Sequence, residues 1–275
     1  KVLLHVPKYD EIKNYPNLVL MGSLSQFEFM IKDVEVPEEP VNASINLNGS
    51  AVSANQIDSF LKYFKSVWVE YGATETTKTA MKEITEPGTY NGSVGYILPG
   101  TEFRITEDKE LLLKTPGMIN GYYMDLQLTD KHFKDGWFHT GDLARIENQE
   151  LFIEGRQTDS LNIGGVKINP AAIDAVLKDI PGIKDAMTFQ NTDFPTYNQL
   201  QAIIVADGDT KQIGDQAAQI MLNKFGLTRM PRRVYFVDSI PVNENGKPVR
   251  KQAVNQVKGL EPTVIANYQP PKMKE

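Results

Sequence analysis

The change of pattern near Gly92 constrains the fold of this chain more than any other feature. Before it, short apolar runs at 2–6, 18–21, 44–47 and 67–70 alternate with turn residues and helical patterns, as at 26–31 and 54–65. Strands that alternate with helices must return over a sheet face, so 1–90 reads as a parallel α/β sheet. After Gly92, SVGYILPG, EFRIT, ELLLK and ELFIE follow one another with turn residues between them and no helix. That reads as a small antiparallel barrel-like unit over 91–157. Beyond Arg156 a third pattern begins: helices at 170–180, with Pro170 in the first turn, and 212–224, and strands near 186–190, 200–206 and 233–237. The expectation is an α/β protein ending in a small α+β domain over 158–260, followed by a proline-containing tail at 261–275.

Composition narrows the function classes. A chain of 275 residues, 41% hydrophobic, can bury one or two cores. No apolar run reaches the roughly 20 residues that cross a bilayer, so no membrane span is expected, and no signal-peptide pattern is present. A net charge of −6 argues against nucleic acid as the main partner. The absence of cysteine rules out disulfides and thiolate metal sites and fits a cytoplasmic enzyme. His5, His132 and His139 stand apart, without metal-ligand spacing. Because the chain begins at Lys1 and opens directly into a strand pattern, we expect it to be a piece of a longer polypeptide.

Four segments carry residue types suited to chemistry. GWFHTGDL (136–143) puts Asp142 on a Thr-Gly turn, with Arg156 downstream beyond a strand pattern. Such a carboxylate can accept both hydrogens of a vicinal diol, and a guanidinium suits ribose or phosphate oxygens; read alone, the pair is equally a turn beside a surface ion pair. YGATE (71–75) follows a strand. Tyr71 could stack on a purine, Thr74 could hold a phosphate oxygen and Glu75 a magnesium ion, or the five residues are an ordinary polar turn. PVNENGKPVR (241–250) sets Lys247 on a proline-bracketed loop beside Gly246. Such a lysine is commonly a solvated charge, but a mobile one can stabilise charge on phosphate and carboxylate oxygens. DSLNIGGVKINP (159–170) has Gly164 and Gly165 between two strand-like halves. They either let an extended thiol ligand approach or simply turn a hairpin.

Taken in order, these segments, with NLNGSA (46–51), GSVGYILPG and GMINGYY, resemble the adenylate-forming superfamily of acyl-CoA synthetases, luciferases and peptide-synthetase adenylation domains. The resemblance runs from about residue 40 to 255 and more loosely back to residue 1. It implies the C-terminal part of a large domain over 1–157 and a mobile lid over 158–260. The reaction implied is ATP-dependent activation of a small carboxylic acid as an acyl-adenylate, then transfer to coenzyme A. A carrier-protein pantetheine is the alternative acceptor, and a non-catalytic nucleotide-binding fragment the alternative role.

By position, the resemblance assigns Gly49, Ser50, Ala51, Tyr71, Gly72, Thr74, Asp142, Arg156 and Lys167 to the nucleotide. Glu75 is assigned to magnesium, Gly164 and Gly165 to the pantetheine arm, Lys247 to catalysis of adenylation and Thr158 to the hinge. Two departures stand out. The hinge, usually Asp or Lys, is Thr158. No segment resembles the upstream SSGTTGxPKG-like phosphate loop, so the chain is expected to begin after it. Ala73, where peptide synthetases favour Pro, leans toward coenzyme A.

Overall fold

A computed structural model describes residues 7–13, 15, 17–49, 51–243 and 248–264. The chain divides into two compact units, 1–157 and 158–275. No helix among the described residues is long and apolar enough to cross a membrane. The strand expected at 2–6 lies outside the described residues.

In the first unit a short helix α1 (Tyr9–Ile12) precedes β1 (Leu18–Gly22), α2 (Leu24–Ile31), β2 (Val41–Leu47), α3 (Ala54–Leu61) and β3 (Phe64–Ala73). Ser23 and Ser53 open α2 and α3 with capping boxes closed by Gln26 and Gln56, which satisfy first-turn N–H groups. The helix expected through Lys65 stops at Leu61. Phe60 and Phe64 are spaced like one helical face, yet Phe64 already begins β3, and both are buried in the same core. β1, β2 and β3 pair in parallel.

From β3 the chain turns back into β4 (Thr77–Ile84), then β5 (Gly95–Ile97), β6 (Glu102–Ile105) and β7 (Glu110–Lys114). After α4 (Leu126–His132) come β8 (Phe133–Lys134), β9 (Trp137–Glu147) and β10 (Glu150–Arg156). All ten strands belong to one sheet, in the order β1-β2-β3-β4-β5-β10-β9-β7-β6, with β8 beside β9. The barrel-like unit expected at 91–157 is therefore corrected. Its strands continue the parallel sheet through the antiparallel β3–β4 pair, and no closed barrel forms among the described residues. Gly95 makes the β4–β5 contact possible, since a Cβ there would lie 2.1 Å from the Met81 carbonyl oxygen.

The second unit holds a hairpin of β11 (Leu161–Ile163) and β12 (Val166–Ile168), then α5 (Pro170–Lys178), β13 (Ile183–Gln190), β14 (Leu200–Ala206), α6 (Thr210–Phe225), β15 (Arg233–Phe236), α7 (Arg250–Gln256) and β16 (Thr263–Val264). The last four strands form a sheet in the order β13-β14-β15-β16. One core of Ile173, Leu177, Ile204 and Met221 lies under α5 and α6; a second, of Met187, Phe189, Tyr235, Ala253 and Val257, seats α7. The tail expected from 261 is corrected at its start, because Thr263 and Val264 pair with β15. The remainder lies outside the described residues.

Candidate functional site

The end of β3 organises the site in the first unit. Pairing with β4 passes from Tyr71–Ala80 to Gly72–Lys78, so Thr79 is left unpaired as a bulge, and its hydroxyl donates to the Tyr71 carbonyl at 3.1 Å. Bulges bend a strand and re-aim its side chains. Gly72 is required there: a Cβ would sit 2.3 Å from the Thr77 carbonyl oxygen. The bend opens a cavity of about 220 Å³ lined by Asn48, Gly49, Glu70, Gly72, Thr74 and Lys78, among others. Glu70 and Lys78 form an ion pair in its wall, which the sequence motifs did not single out.

Tyr71 meets Asp142. Its hydroxyl donates to the Asp142 carboxylate at 2.5 Å, and Arg156 Nε donates to the other carboxylate oxygen at 3.1 Å. Asp142 and Arg156 are directly opposite across the β9–β10 pair, so the ladder register itself brings them together. The Thr-Gly turn expected here is corrected: Thr140 and Gly141 lie inside β9, where its pairing with β7 shifts register, and the segment is tied down by several bonds. The Thr140 hydroxyl donates to the Leu111 carbonyl at 2.7 Å and accepts the Asp142 N–H at 2.9 Å, while Glu110 accepts the Gly141 N–H at 3.1 Å. The other Glu110 oxygen faces His139 Nδ1 at 3.2 Å. Burial pushes the Tyr71 phenol well above its ordinary pKa, and the neighbouring Asp142 charge adds to this, so Tyr71 remains a donor. Asp142 is 8% exposed, whereas the Arg156 side chain is 61% exposed. The result is a buried carboxylate held in one orientation, with its guanidinium partner open to solvent.

Glu75 has a partner that the sequence motifs missed. The Tyr122 hydroxyl donates to Glu75 Oε1 at 2.7 Å, and its phenol is pushed up to about 12 by burial and by that carboxylate. Tyr122 is itself positioned by its N–H bond to the Thr129 hydroxyl at 2.9 Å. Gly121 permits this, because a Cβ there would approach Thr129 Cγ2 to 2.6 Å. The GMINGYY segment carried only a family resemblance, and nothing local marks a tyrosine that meets a carboxylate 47 residues away. Among the described residues no three His, Asp or Glu side chains cluster to hold a metal. Glu75 offers a carboxylate of the donor type that magnesium takes alongside a ligand's phosphates.

The remaining candidates lie as follows. Gly49, at φ +77°, lines the cavity, while Ala51 is exposed and Ser50 lies outside the described residues. In the second unit, Gly164 (φ +60°) and Gly165 (φ +84°) turn the β11–β12 hairpin, with the Asn162 side chain accepting the Gly165 N–H at 3.1 Å. Positive φ at both central residues is the signature of a type I′ turn, so the hairpin alone accounts for the glycine pair. Lys167 is exposed on β12. Thr158 is the first residue of the second unit, exposed in a 3₁₀ turn spanning Gln157–Asp159. Lys247 lies outside the described residues.

No protein-family model matches the chain. Among curated proteins it is 30% identical over 200 residues to indoleacetate–CoA ligase of Aromatoleum aromaticum, covering 68% of this chain and 39% of that protein. It is 28% identical over 256 residues to 2-succinylbenzoate–CoA ligase of Staphylococcus epidermidis, covering 90% of this chain and 53% of the relative. The fold is similar to the amide bond synthetase McbA of Marinactinospora thermotolerans, with TM-score 0.75 at 19% identity over 90% of this chain and 53% of that one. It is also similar to the O-succinylbenzoate coenzyme A synthetase of Bacillus subtilis solved with AMP, with TM-score 0.71 at 20% identity over 88% and 52% of the two chains. At these identities the solved structures show a shared α/β fold. The chain belongs to the adenylate-forming superfamily of acyl-CoA synthetases. It spans about half the length of the curated relatives it matches.

Proposed function

We propose that this chain supplies the nucleotide anchor and the mobile lid of an acid–CoA ligase. The observation that carries this is the Asp142 carboxylate, buried and oriented by Tyr71 and Arg156. In the reaction, a carboxylate oxygen of the acid attacks the α-phosphorus of ATP and pyrophosphate leaves. The coenzyme A sulfur then attacks the acyl carbonyl, AMP departs and the thiol proton passes to solvent. Asp142 accepts the ribose hydroxyls, and the Arg156 guanidinium turns its open face to ribose or phosphate oxygens. The Tyr71 ring and bare Gly72 receive the adenine, with Gly49, Ser50 and Ala51 at the rim. Thr74 contacts the α-phosphate and Glu75 holds the magnesium ion, which neutralises phosphate charge when bound.

Lys247 adds a positive charge where it develops on phosphate and carboxylate oxygens during adenylation. Rotation of the second unit about Thr158 then exchanges Lys247 for the Gly164-Gly165 turn, which approaches the pantetheine arm, with Lys167 near the phosphate. ATP and coenzyme A supplied by the cytoplasm complete the substrates.

The test incubates the polypeptide that carries this chain with ATP, magnesium, coenzyme A or holo-carrier protein, and a panel of acids that includes indoleacetate and 2-succinylbenzoate. Acyl thioester and AMP are read by mass spectrometry. Thioester formation in the coenzyme A arm, lost in Lys247→Ala, is expected; formation only with the carrier reassigns the acceptor. No acyl-adenylate with any acid, together with an inert Lys247→Ala, overturns the enzyme. AMP binding without turnover then points to a nucleotide-binding module.

A further inference from the structure

The second unit carries a cation that its own fold leaves unmet. β15 alternates: Val234 and Phe236 pack into the core under α5 and α6, while Tyr235 belongs to the core that seats α7. Arg233, two residues before Tyr235, therefore lies on the α7 side of the sheet. Its Nε is buried and has no hydrogen-bond partner among the described residues. A buried donor in that state calls for a physical reason.

The neighbouring polar groups do not supply one. Across the ladder from Arg233 stands Gln201, fully buried, and its amide is engaged at both ends. Nε2 donates to the Asn198 carbonyl at 3.1 Å, and Oε1 accepts from Asn191 Nδ2 at 3.3 Å. Asn191 Oδ1 in turn accepts the Asp193 N–H at 3.1 Å. The Arg233 guanidinium carbon sits over the Phe194 ring, 4.8 Å from its centroid. The ring attracts the charge and holds the group in place, but it offers no lone pair to Nε.

Arg233 and Phe194 line a cavity of about 310 Å³, together with Tyr235 and with Val254, Val257 and Leu260 from α7 and the chain after it. Burial pushes the Tyr235 phenol upward, so it too remains a donor there. The charges in the lining balance, Arg233 and Lys258 against Asp193 and Glu261, yet neither carboxylate accepts from Arg233 Nε. Two carboxylates in the wall would repel a phosphate dianion, whereas a single negative charge meets less opposition. The aromatic and aliphatic walls suit an apolar body beside that charge. A carboxylate is the monoanion whose two oxygens match the guanidinium fork.

We infer that the second unit holds a binding site for a small organic monocarboxylate, with its charge on Arg233 and its apolar body against Tyr235, Val257 and Leu260. The site does not rest on the ligase reading.

The test titrates the isotope-labelled chain with sodium phenylacetate and follows proton–nitrogen correlation spectra that include the Arg233 Nε–H group. Saturable binding with a Kd of about 0.1–1 mM is expected, the scale for a ligand of this size. The shift at Arg233 Nε–H localises the binding to this cavity, whatever the acid does elsewhere on the chain. The neutral isostere phenylacetamide should bind at least about ten-fold more weakly, because it lacks the charge. Arg233→Met keeps the stem and drops the charge, and should weaken phenylacetate by about ten-fold or more. Arg233→Lys should fall between, since an ammonium keeps the charge without the planar fork.

The absence of a saturable shift at Arg233, equal binding of phenylacetamide, or undiminished binding in Arg233→Met would overturn the site. Displacement of phenylacetate by inorganic phosphate at equal concentration would overturn the ligand class. Should Arg233→Met fail to fold, Arg233→Lys and the phenylacetamide comparison carry the same decision.

Discussion

Asp142 and Asp174 are equally buried, each 8% exposed, and each meets an arginine, yet their surroundings differ. Asp174 is closed on itself. A backbone N–H and a guanidinium whose side chain is only 21% exposed hold both its oxygens within one domain. Burial pushes its carboxyl upward while Arg250 pulls the other way. Asp142, in the middle of β9, is held by a phenol from β3 and by a guanidinium open to water. What separates the two carboxylates is not depth. It is whether the partners belong to the closed interior or face the solvent.

The largest expected effect falls on stability. Asp174→Ala strands the Arg250 charge and should cost about 3–5 kcal/mol in urea or thermal unfolding, whereas Asp142→Ala leaves a phenol without its acceptor and a guanidinium that water already reaches, and should cost about 1–2 kcal/mol. Equal losses would erase the distinction. On nucleotide binding the order reverses. Asp142→Asn should weaken AMP binding by calorimetry about ten- to hundred-fold, the scale of one or two hydrogen bonds to a charge, while Asp174→Asn, where folded, leaves the affinity unchanged.

Smaller changes sharpen the role of the phenols. Tyr71→Phe removes the hydroxyl that orients Asp142 but keeps the ring, and should weaken AMP by about three- to ten-fold, close to 1 kcal/mol. A gain in affinity would show that the hydroxyl competes with the ribose instead of orienting its anchor. Glu150, buried on β10, extends the comparison to a third carboxylate on the structural side. Burial works to raise its pKa, but Lys82 at 2.6 Å and the Asn91 amide at 2.7 Å hold it below its ordinary value. A carboxylate with a lowered folded-state pKa contributes stability above its unfolded pKa, and loses it as pH falls through the folded one. Thermal stability should therefore fall as pH drops below the usual carboxylate range, and Lys82→Met should flatten that part of the profile. An unchanged profile would remove Glu150 from the structural group.

Much of this was legible in the chain itself. Leu200–Ala206 forms a strand with the same ends that its apolar run predicts, because a fully buried strand needs nothing beyond local hydrophobicity to be seen. The alternation of strands and helices up to Glu70 likewise foretold the parallel pairs. The barrel expected at 91–157 went wrong at the β3–β4 pair, where strand period alone says nothing about which neighbour a strand will choose. Phe64 misled for a related reason, since its spacing from Phe60 suits a helix face and its place in the core suits a strand just as well.

The sequence alone determined the kinds of group available: a carboxylate after a Thr-Gly pair, an arginine fourteen residues on, a tyrosine beside a glycine. These are local properties, written in residue type and spacing. Only the tertiary structure decided that Tyr71 bonds to Asp142 from 71 residues away, that Tyr122 reaches Glu75, and that Asp174 meets Arg250. Each of those contacts depends on strand register and on the packing of distant elements, and a pairing between distant positions leaves no mark in either segment taken by itself.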